Sequence, residues 1–356
     1  MKYKIILDKK IWGLLLILIS IMSISIRYIF LTDKFFFDSL SLLSIEKNFS
    51  LTGSVESGAF GVTAMLFSYI NFFDFKSLFE WSVFITIIFG IINFILLRKI
   101  YIIELKNFIV ILIGLFLWYL FAAGITKEVI QTLFYFFIYF FIVNNSIFKS
   151  IYSKVIIGII ILWISSICFR EYYILTAFFS GIVYLIYYFI RKKHIEGLKG
   201  YVFSMIVFLI VLVIFLNIAE VISFEEYSMI INLRSGTYQY LMEAGTDSFI
   251  DNIIEGDGIY IYVLNYIINY FRLLLPIELL FGGKIYYISF VIYQIAFTCY
   301  YIKNICNLTK IDNEKFICMI FLTSFIMVAA MMEPDFGSWL RHQSACYMLF
   351  LSILKN

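Results

Sequence analysis

Charged residues are scarce in this sequence. They make up 14% of its 356 residues, whereas hydrophobic residues make up 63%. A soluble domain has roughly 25% charged and about 45–50% apolar residues, so this composition excludes an ordinary soluble fold. The formal net charge of +3 is also too small to suggest a nucleic-acid partner. The composition therefore predicts a protein that lies almost entirely within a membrane.

Several common chemical signals are missing as well. The sequence has no P-loop, no G-x-G-x-x-G turn, no H-E-x-x-H motif and no D-x-D pair. Its cysteines are odd in number and scattered, without a C-x-x-C pair, so they are predicted to be small apolar side chains rather than a disulfide framework or a metal cage. We therefore expect neither a cofactor nor a bound metal.

Long apolar runs are what the sequence has in abundance. They occupy residues 11–30, 78–97, 107–124, 129–147, 155–169, 172–190, 200–220, 284–302, 316–332 and 338–354. A membrane-spanning helix needs about 20 apolar residues, so the sequence predicts an all-α polytopic membrane protein with about ten spans, forming a single domain over residues 1–356. Segments 59–73 and 259–281 are short, or interrupted by Arg272 and Pro276, and are predicted to be re-entrant or interfacial helices on the outer side.

The distribution of Lys and Arg predicts the orientation in the membrane. If the clear runs cross and the two doubtful segments do not, most of the 27 Lys and Arg residues lie on one side. The positive-inside rule assigns that side, with both termini, to the cytoplasm. The long loop of residues 221–258 is then extracytoplasmic. The isolated pairs Lys127–Glu128, Arg170–Glu171 and Arg341–His342 are also predicted to lie outside.

The stretch "EPDFGSWLRHQ", residues 333–343, concentrates ionisable groups between two apolar runs. It contains Glu333, Asp335, Arg341 and His342. Charged groups at this depth are costly and commonly face a cavity or one another. A single pair is equally compatible with an ion pair that only caps a helical hairpin. Several such groups on one face favour a binding site for an anion.

These residue types fit the transfer of a sugar from a lipid diphosphate. Guanidinium groups bind phosphate oxygens through two parallel hydrogen bonds. A neutral His342 is a candidate to take a proton from an acceptor hydroxyl. Carboxylates serve as a base or stabilise an oxocarbenium-like centre. The carboxylate candidates, in order, are Asp335 and Glu333, then Glu128 and Glu171, then Asp33 and Asp38.

With these residues in view, the chain resembles the bacterial O-antigen and capsule polymerases of the Wzy type, and more distantly the O-antigen ligases. The shared features are about ten spans with one long outer loop in the second half, basic residues isolated in "FREYY" and "NLRSGTYQY", and the late "EPDFGSWLRHQ" stretch. The likeness covers the whole chain in layout but only short stretches in motif. The chain departs from the family in having a single arginine, Arg234, in its long loop.

The resemblance implies a metal-independent integral-membrane glycosyltransferase with a GT-C-like fold in the bacterial cytoplasmic membrane. Such an enzyme would move a glycan from undecaprenyl pyrophosphate to the sugar of a lipid-linked acceptor. Its expected partners are the undecaprenyl-pyrophosphate-linked oligosaccharide, membrane lipid, a flippase and a chain-length regulator. The alternatives are an O-antigen ligase or another polyprenyl-lipid glycosyltransferase, and, from another class, a lipid-linked oligosaccharide flippase. A flippase needs charged groups in the middle of its spans, where this sequence has almost none.

The resemblance also implies roles for individual residues. Arg170 and Arg234 would bind the donor pyrophosphate, with Arg341 assisting. His342 or a neighbouring carboxylate would position or deprotonate the acceptor. The other residues expected to contact substrate are Arg272, Lys127 and Glu171.

Overall fold

The structure is a computed structural model, and part of the chain is described by it. The described residues are 3–31, 33–54, 58–143, 148–225, 227–228, 230–231, 248–283 and 285–354. The predicted site residue Arg234 lies outside them, as does part of the predicted outer loop.

The described residues are predominantly helical. In chain order the helices are α1 (Lys9–Ile29), α2 (Phe37–Thr52), α3 (Ala59–Tyr69), α4 (Leu78–Leu97), α5 (Leu105–Phe121), α6 (Lys127–Phe137), α7 (Ile151–Cys168), α8 (Tyr173–Lys192), α9 (Leu198–Ile222), α10 (Ile259–Leu274), α11 (Ile285–Cys306), α12 (Asn313–Met332), α13 (Phe336–Ala345) and α14 (Tyr347–Leu354). Two short strands, β1 (Lys4–Ile6) and β2 (Ile102–Glu104), pair antiparallel. The prediction of a nearly all-α architecture is confirmed.

Six of these helices are long and apolar enough to cross a membrane: α1, α4, α7, α8, α9 and α12. Their number and composition are consistent with a polytopic membrane protein. The exposed side of α9 illustrates the reason, because Ile206, Ile210, Ile214 and Ile218 recur every fourth residue and are each more than half exposed. An apolar stripe of this length is unfavourable in water and favourable against lipid.

Polar residues determine where several apolar helices begin. The Ser77 hydroxyl accepts a hydrogen bond from the Glu80 backbone N–H (3.3 Å), and the Glu80 carboxylate accepts one from the Ser77 N–H (2.9 Å). This reciprocal pair satisfies two N–H groups that the first turn of α4 leaves unpaired. The Asp312 carboxylate likewise accepts a hydrogen bond from the Lys315 N–H at the start of α12 (2.8 Å).

Three predicted apolar segments differ in detail from single helices. Residues 338–354 form two helices, α13 and α14, which meet at Cys346. Residues 129–147 begin as α6, which continues into a π-helical turn over Ile138–Val143. In segment 259–281, α10 ends before Pro276 and a 3-10 helix follows over Ile277–Gly282. Proline disfavours a helical conformation in the residue that precedes it, which accounts for this last break.

The chain divides into two compact units. The first comprises residues Met1–Phe140, Trp163–Tyr173 and Arg341–Asn356, and the second comprises Phe141–Leu162 and Ile174–Leu340. In the first unit, α1 packs against α4 and α5, and α2 packs against α3. In the second unit, α12 is the most enclosed of the membrane-length helices, because every residue from Phe316 to Met331 is buried. α10 and α11 pack against both α9 and α12.

A glycine determines how closely two helices of the second unit approach. A Cβ atom at Gly158 of α7 would lie 2.1 Å from the Phe321 ring of α12. We expect Gly158→Ala to destabilise the protein by about 1–3 kcal/mol, because the ring must leave its packed position. Gly181→Ala is the matched control, since its Cβ would meet Ile159 at an ordinary 3.8 Å. Equal thermal denaturation midpoints for the two variants in detergent would contradict this packing.

Candidate functional site

Several of the predicted site residues meet in the first unit. Lys127 and Glu128 occupy the first turn of α6. Arg170 lies in the turn between α7 and α8, and Arg341 and His342 lie in α13. We call Glu128, Arg170 and His342, with Tyr172, the Arg170 cluster. Its members come from three separate chain segments.

The turn that carries Arg170 is held by its own backbone. The Arg170 N–H donates to the Ser165 carbonyl (3.1 Å), and the Arg170 carbonyl accepts from the Tyr173 N–H (3.0 Å). These bonds end α7 and begin α8 within a few residues, so the guanidinium is presented from a short and defined turn. Arg170 is 8% exposed and the neighbouring Glu128 is 2% exposed, so both charged residues are buried.

The Arg170 guanidinium contacts each of the other members. Its Nη1 donates to the Tyr172 hydroxyl at 2.7 Å and lies 3.1 Å from Nε2 of His342. Its Nη2 lies 3.8 Å from Oε1 of Glu128, and the same carboxylate oxygen lies 3.4 Å from Nε2 of His342. Nε2 of His342 accepts a hydrogen bond from the guanidinium when the ring proton is on Nδ1, and it faces the Glu128 carboxylate as a donor when it carries the proton itself. The arrangement therefore places an imidazole beside a carboxylate and a guanidinium.

The charge state of Glu128 follows from these neighbours. Burial opposes ionisation, but contact with His342 and the positive charges of Arg341 and Arg170 outweigh it and hold the pKa of Glu128 well below its ordinary value of 4.5. Its position in the first turn of α6 also favours a negative charge. Arg170 is buried as well, yet the nearby Tyr172 and Glu128 raise the pKa of its guanidinium. Both groups are ionised at neutral pH.

One oxygen of the Glu128 carboxylate can still accept a hydrogen bond. Within the described part of the chain, Oε1 of Glu128 is buried and accepts no hydrogen bond. Buried acceptors in folded proteins are normally paired, so such an oxygen calls for a donor. A hydroxyl group of a bound molecule is a suitable donor. The Arg170 cluster can thus bind an anion through its guanidinium and orient a hydroxyl through its carboxylate.

A second set of charges lies around Asp38 of α2. Its Oδ2 is 3.0 Å from Nζ of Lys127 and 3.7 Å from Nη1 of Arg341. The Lys127 ammonium also lies 3.8 Å from the centre of the Phe60 ring. Burial lowers the pKa of Lys127, and the charge of Arg170 adds to this effect, whereas Asp38 opposes it. The contacts described for Lys127, Arg170 and Arg341 are with the carboxylates of Asp38 and Glu128, so positively and negatively charged groups alternate here.

Two polar residues that contact Arg170 or His342 were not among the predicted ones. Tyr172 bonds to Arg170, and the side chain of Gln131 donates to the His342 carbonyl at 3.3 Å. Gln131 lies three residues after Glu128 and therefore on the same face of α6. That spacing, in an otherwise apolar helix, is a signal that could have identified Gln131. Tyr172 carries no such signal in a chain with 27 tyrosines.

The remaining predicted residues have other surroundings. Asp335, in the second unit, caps α13, because its Oδ1 accepts from the N–H groups of Gly337 (2.7 Å) and Ser338 (2.9 Å). Its Oδ2 accepts from the Ser338 hydroxyl (2.8 Å). Glu333 is buried in the same unit, and Glu171 is exposed in the first unit.

Arg272 forms an ion pair with Glu278, which belongs to the same unit. Its Nε lies 2.8 Å from Oε2 of Glu278, and its Nη2 lies 2.6 Å from Oε1 of the same carboxylate. This two-point contact offsets the charge of Arg272 within the second unit. Nη1 of Arg272 donates a further hydrogen bond to the side-chain oxygen of Asn269 (3.2 Å).

Within the described ranges, no three His, Cys, Asp or Glu side chains are grouped so that they could hold a metal ion. Comparison with protein-family models, with curated protein sequences and with solved structures finds no significant match to this chain. The residues themselves therefore carry the functional argument.

Proposed function

We propose that this protein is a metal-independent membrane glycosyltransferase of the polysaccharide-polymerase type. It transfers a glycan from undecaprenyl pyrophosphate to a lipid-linked acceptor repeat unit, on the outer face of the bacterial cytoplasmic membrane. The proposal includes a GT-C-like arrangement of about ten spans with both termini in the cytoplasm. The single observation that supports it best is the Arg170 cluster, in which a buried cation, an ionised carboxylate and an imidazole meet at the ends of apolar helices.

The chemistry assigns one task to each type of group. The oxygen of the acceptor hydroxyl attacks the anomeric carbon of the donor sugar, and the bond from that carbon to the diphosphate oxygen breaks. With the ring proton of His342 on Nδ1, the acceptor hydroxyl replaces the Arg170 N–H at Nε2 and passes its proton to that nitrogen, and Glu128 stabilises the imidazolium that forms. The bonding electrons leave with the diphosphate, whose charge is stabilised by the cations Arg170, Lys127 and Arg341.

The alternatives differ in acceptor or in chemistry. An O-antigen ligase would use the same donor and the same groups with a different acceptor. A flippase would move the lipid-linked oligosaccharide across the membrane and leave its bonds intact. The experiment must therefore measure the products as well as the movement of the lipid.

Reconstitution of the purified protein in liposomes tests the proposal. The substrate is the lipid-linked repeat unit that accumulates in cells from which this protein has been deleted. We expect glycans of increasing length, with one undecaprenyl pyrophosphate released for each new linkage, and the same rate in the presence of EDTA. Arg98→Ala, which changes an exposed arginine of the first unit, is the control and should retain full activity. Repeat units of unchanged length would contradict the proposal.

A further inference from the structure

Arg27 is a buried cation that the proposed chemistry does not use. It lies in the last turn of α1 and is 1% exposed. Among the described residues, its Nε and Nη2 have no hydrogen-bond partner, and no carboxylate pairs with it. Burial of a guanidinium that has no carboxylate in direct contact is costly, and the more distant charge of Glu128 offsets only part of this cost. Charged groups within membrane proteins usually serve function. Stability alone therefore does not account for this arginine.

The contacts that Arg27 does make are with the turn that precedes α6. Its Nη1 donates to the carbonyl oxygen of Ala123 at 2.8 Å and lies 3.5 Å from that of Leu120. The guanidinium also lies 4.4 Å from the centre of the Phe36 ring. Ala123 belongs to the short turn between α5 and α6, so the guanidinium fixes the backbone just before Lys127.

Gly124 shows how closely this turn lies against the guanidinium. A Cβ atom at Gly124 would be 3.1 Å from Nη2 of Arg27 and 3.1 Å from Oγ of Ser82. The Ser82 hydroxyl is itself held by the Tyr28 hydroxyl at 2.8 Å. A side chain at position 124 would therefore displace the guanidinium or the Ser82 hydroxyl by a few tenths of an ångström.

We propose that Arg27 is a positioning residue, which holds the α5–α6 turn so that Glu128 faces His342 and Arg170 while Lys127 faces Asp38. The turn leads directly into these two residues, and its backbone carries no other charged anchor among the described side chains. Arg27 acts through the turn rather than on the substrate. This inference rests on the proposed function for its catalytic consequence, although the contact itself does not.

A double-mutant cycle between Arg27 and Gly124 tests the inference. Arg27→Met removes the anchor, and Gly124→Ala displaces the guanidinium from the turn. Each change is expected to lower kcat by roughly tenfold to a hundredfold, since small misplacements of catalytic groups have effects of this order. The donor KM should change less than kcat, because two of the three cations assigned to the diphosphate, Arg170 and Arg341, remain in place. Arg27→Lys, which keeps a cationic donor, should recover part of kcat.

The cycle separates positioning from general damage to the fold. In the Arg27→Met background the contact of the new Cβ with the guanidinium is gone and only the contact with Ser82 remains, so adding Gly124→Ala should cause a smaller loss than it does in the unmodified protein. Gly90→Ala is the matched control, because its Cβ would meet the Tyr119 hydroxyl at an ordinary 3.8 Å. Independent, multiplicative losses, a rise in the donor KM alone, or a fully active Gly124→Ala variant would each overturn the inference.

Thermal denaturation of the same variants distinguishes failure of this inference from failure of the proposed function. The midpoint shifts should also be non-additive, and that result does not depend on which reaction is catalysed. If the unmodified protein transfers no sugar but the midpoints are non-additive, the proposed function and with it the catalytic role of Arg27 are wrong, although the contact stands. Additive midpoints would overturn the contact itself.

Discussion

Replacing Arg170 by alanine is expected to lower the initial rate of glycan transfer by about a hundredfold to a thousandfold. Removing one group that stabilises developing negative charge has effects of this size. Arg170 is expected to have a large effect because it contacts both Glu128 and His342, at 3.8 and 3.1 Å. The assay is the release of undecaprenyl pyrophosphate from the lipid-linked repeat unit in liposomes.

Two further variants make this result interpretable. Arg170→Lys keeps the charge but cannot reproduce the forked geometry of a guanidinium, so we expect a smaller loss than with alanine. Arg98→Ala changes an exposed arginine of the same unit and should leave the rate unchanged. All three proteins should elute as a single species in detergent. An Arg170→Ala protein with full transfer activity would remove Arg170 from the site.

Replacing Glu128 by glutamine is expected to lower kcat by about a hundredfold to ten-thousandfold, the usual range for a group that supports acid–base catalysis. The amide has nearly the same shape but no negative charge to stabilise the imidazolium of His342. The donor KM should be unchanged or lower, because the cations that face the diphosphate lose a competing carboxylate. Glu46→Gln is the control, since Glu46 is equally buried in the first unit but accepts a hydrogen bond from Asn71.

The Glu128 and His342 effects should not multiply. If the two residues act together, the double variant Glu128→Gln, His342→Gln should be about as slow as the slower single variant, as is usual for groups that act as a unit. Multiplicative losses would indicate that Glu128 and His342 act separately. Such a result would contradict the assignment of His342 as the base that Glu128 supports.

The stability that Glu128 contributes to the folded protein is expected to depend on pH, and the Glu128→Gln variant measures this dependence. Because the folded-state pKa of Glu128 is well below its ordinary 4.5, its charge stabilises the folded protein above about pH 4.5. This contribution is lost as the pH falls through the folded-state value. The difference in thermal midpoint between the unmodified protein and Glu128→Gln should therefore be constant near neutral pH and shrink below about pH 4.5. A difference that grows on acidification would contradict the direction of the pKa shift.

The sequence pattern identified individual charged residues better than it identified the residues that they contact. Lys127, Glu128, Arg170 and His342 are recognisable because each interrupts an apolar run, and charge within such a run is costly. The same criterion also selected Asp335, whose carboxylate oxygens are bonded to the start of α13. A carboxylate that caps a helix and one that faces a cation have the same sequence signature. Only their contacts distinguish them.

Residues with ordinary surroundings in the sequence were harder to recognise. Arg27 lies near the end of an apolar run, where a membrane-flanking arginine is common. Its contact with Ala123 joins residues far apart in the chain, and no local pattern records it. α2 was missed for a similar reason, because its polar and apolar residues follow no clear helical stripe.

By itself, the sequence determined that the chain is a nearly all-α protein with helices suited to a membrane, because length, hydrophobicity and caps are local properties that each segment carries. The tertiary structure decided which of the few charged groups share one place. The contact between Arg170 and His342 joins residues separated by 172 positions. Such pairings depend on how whole helices pack, and the apolar surfaces that drive this packing are nearly alike from one helix to the next.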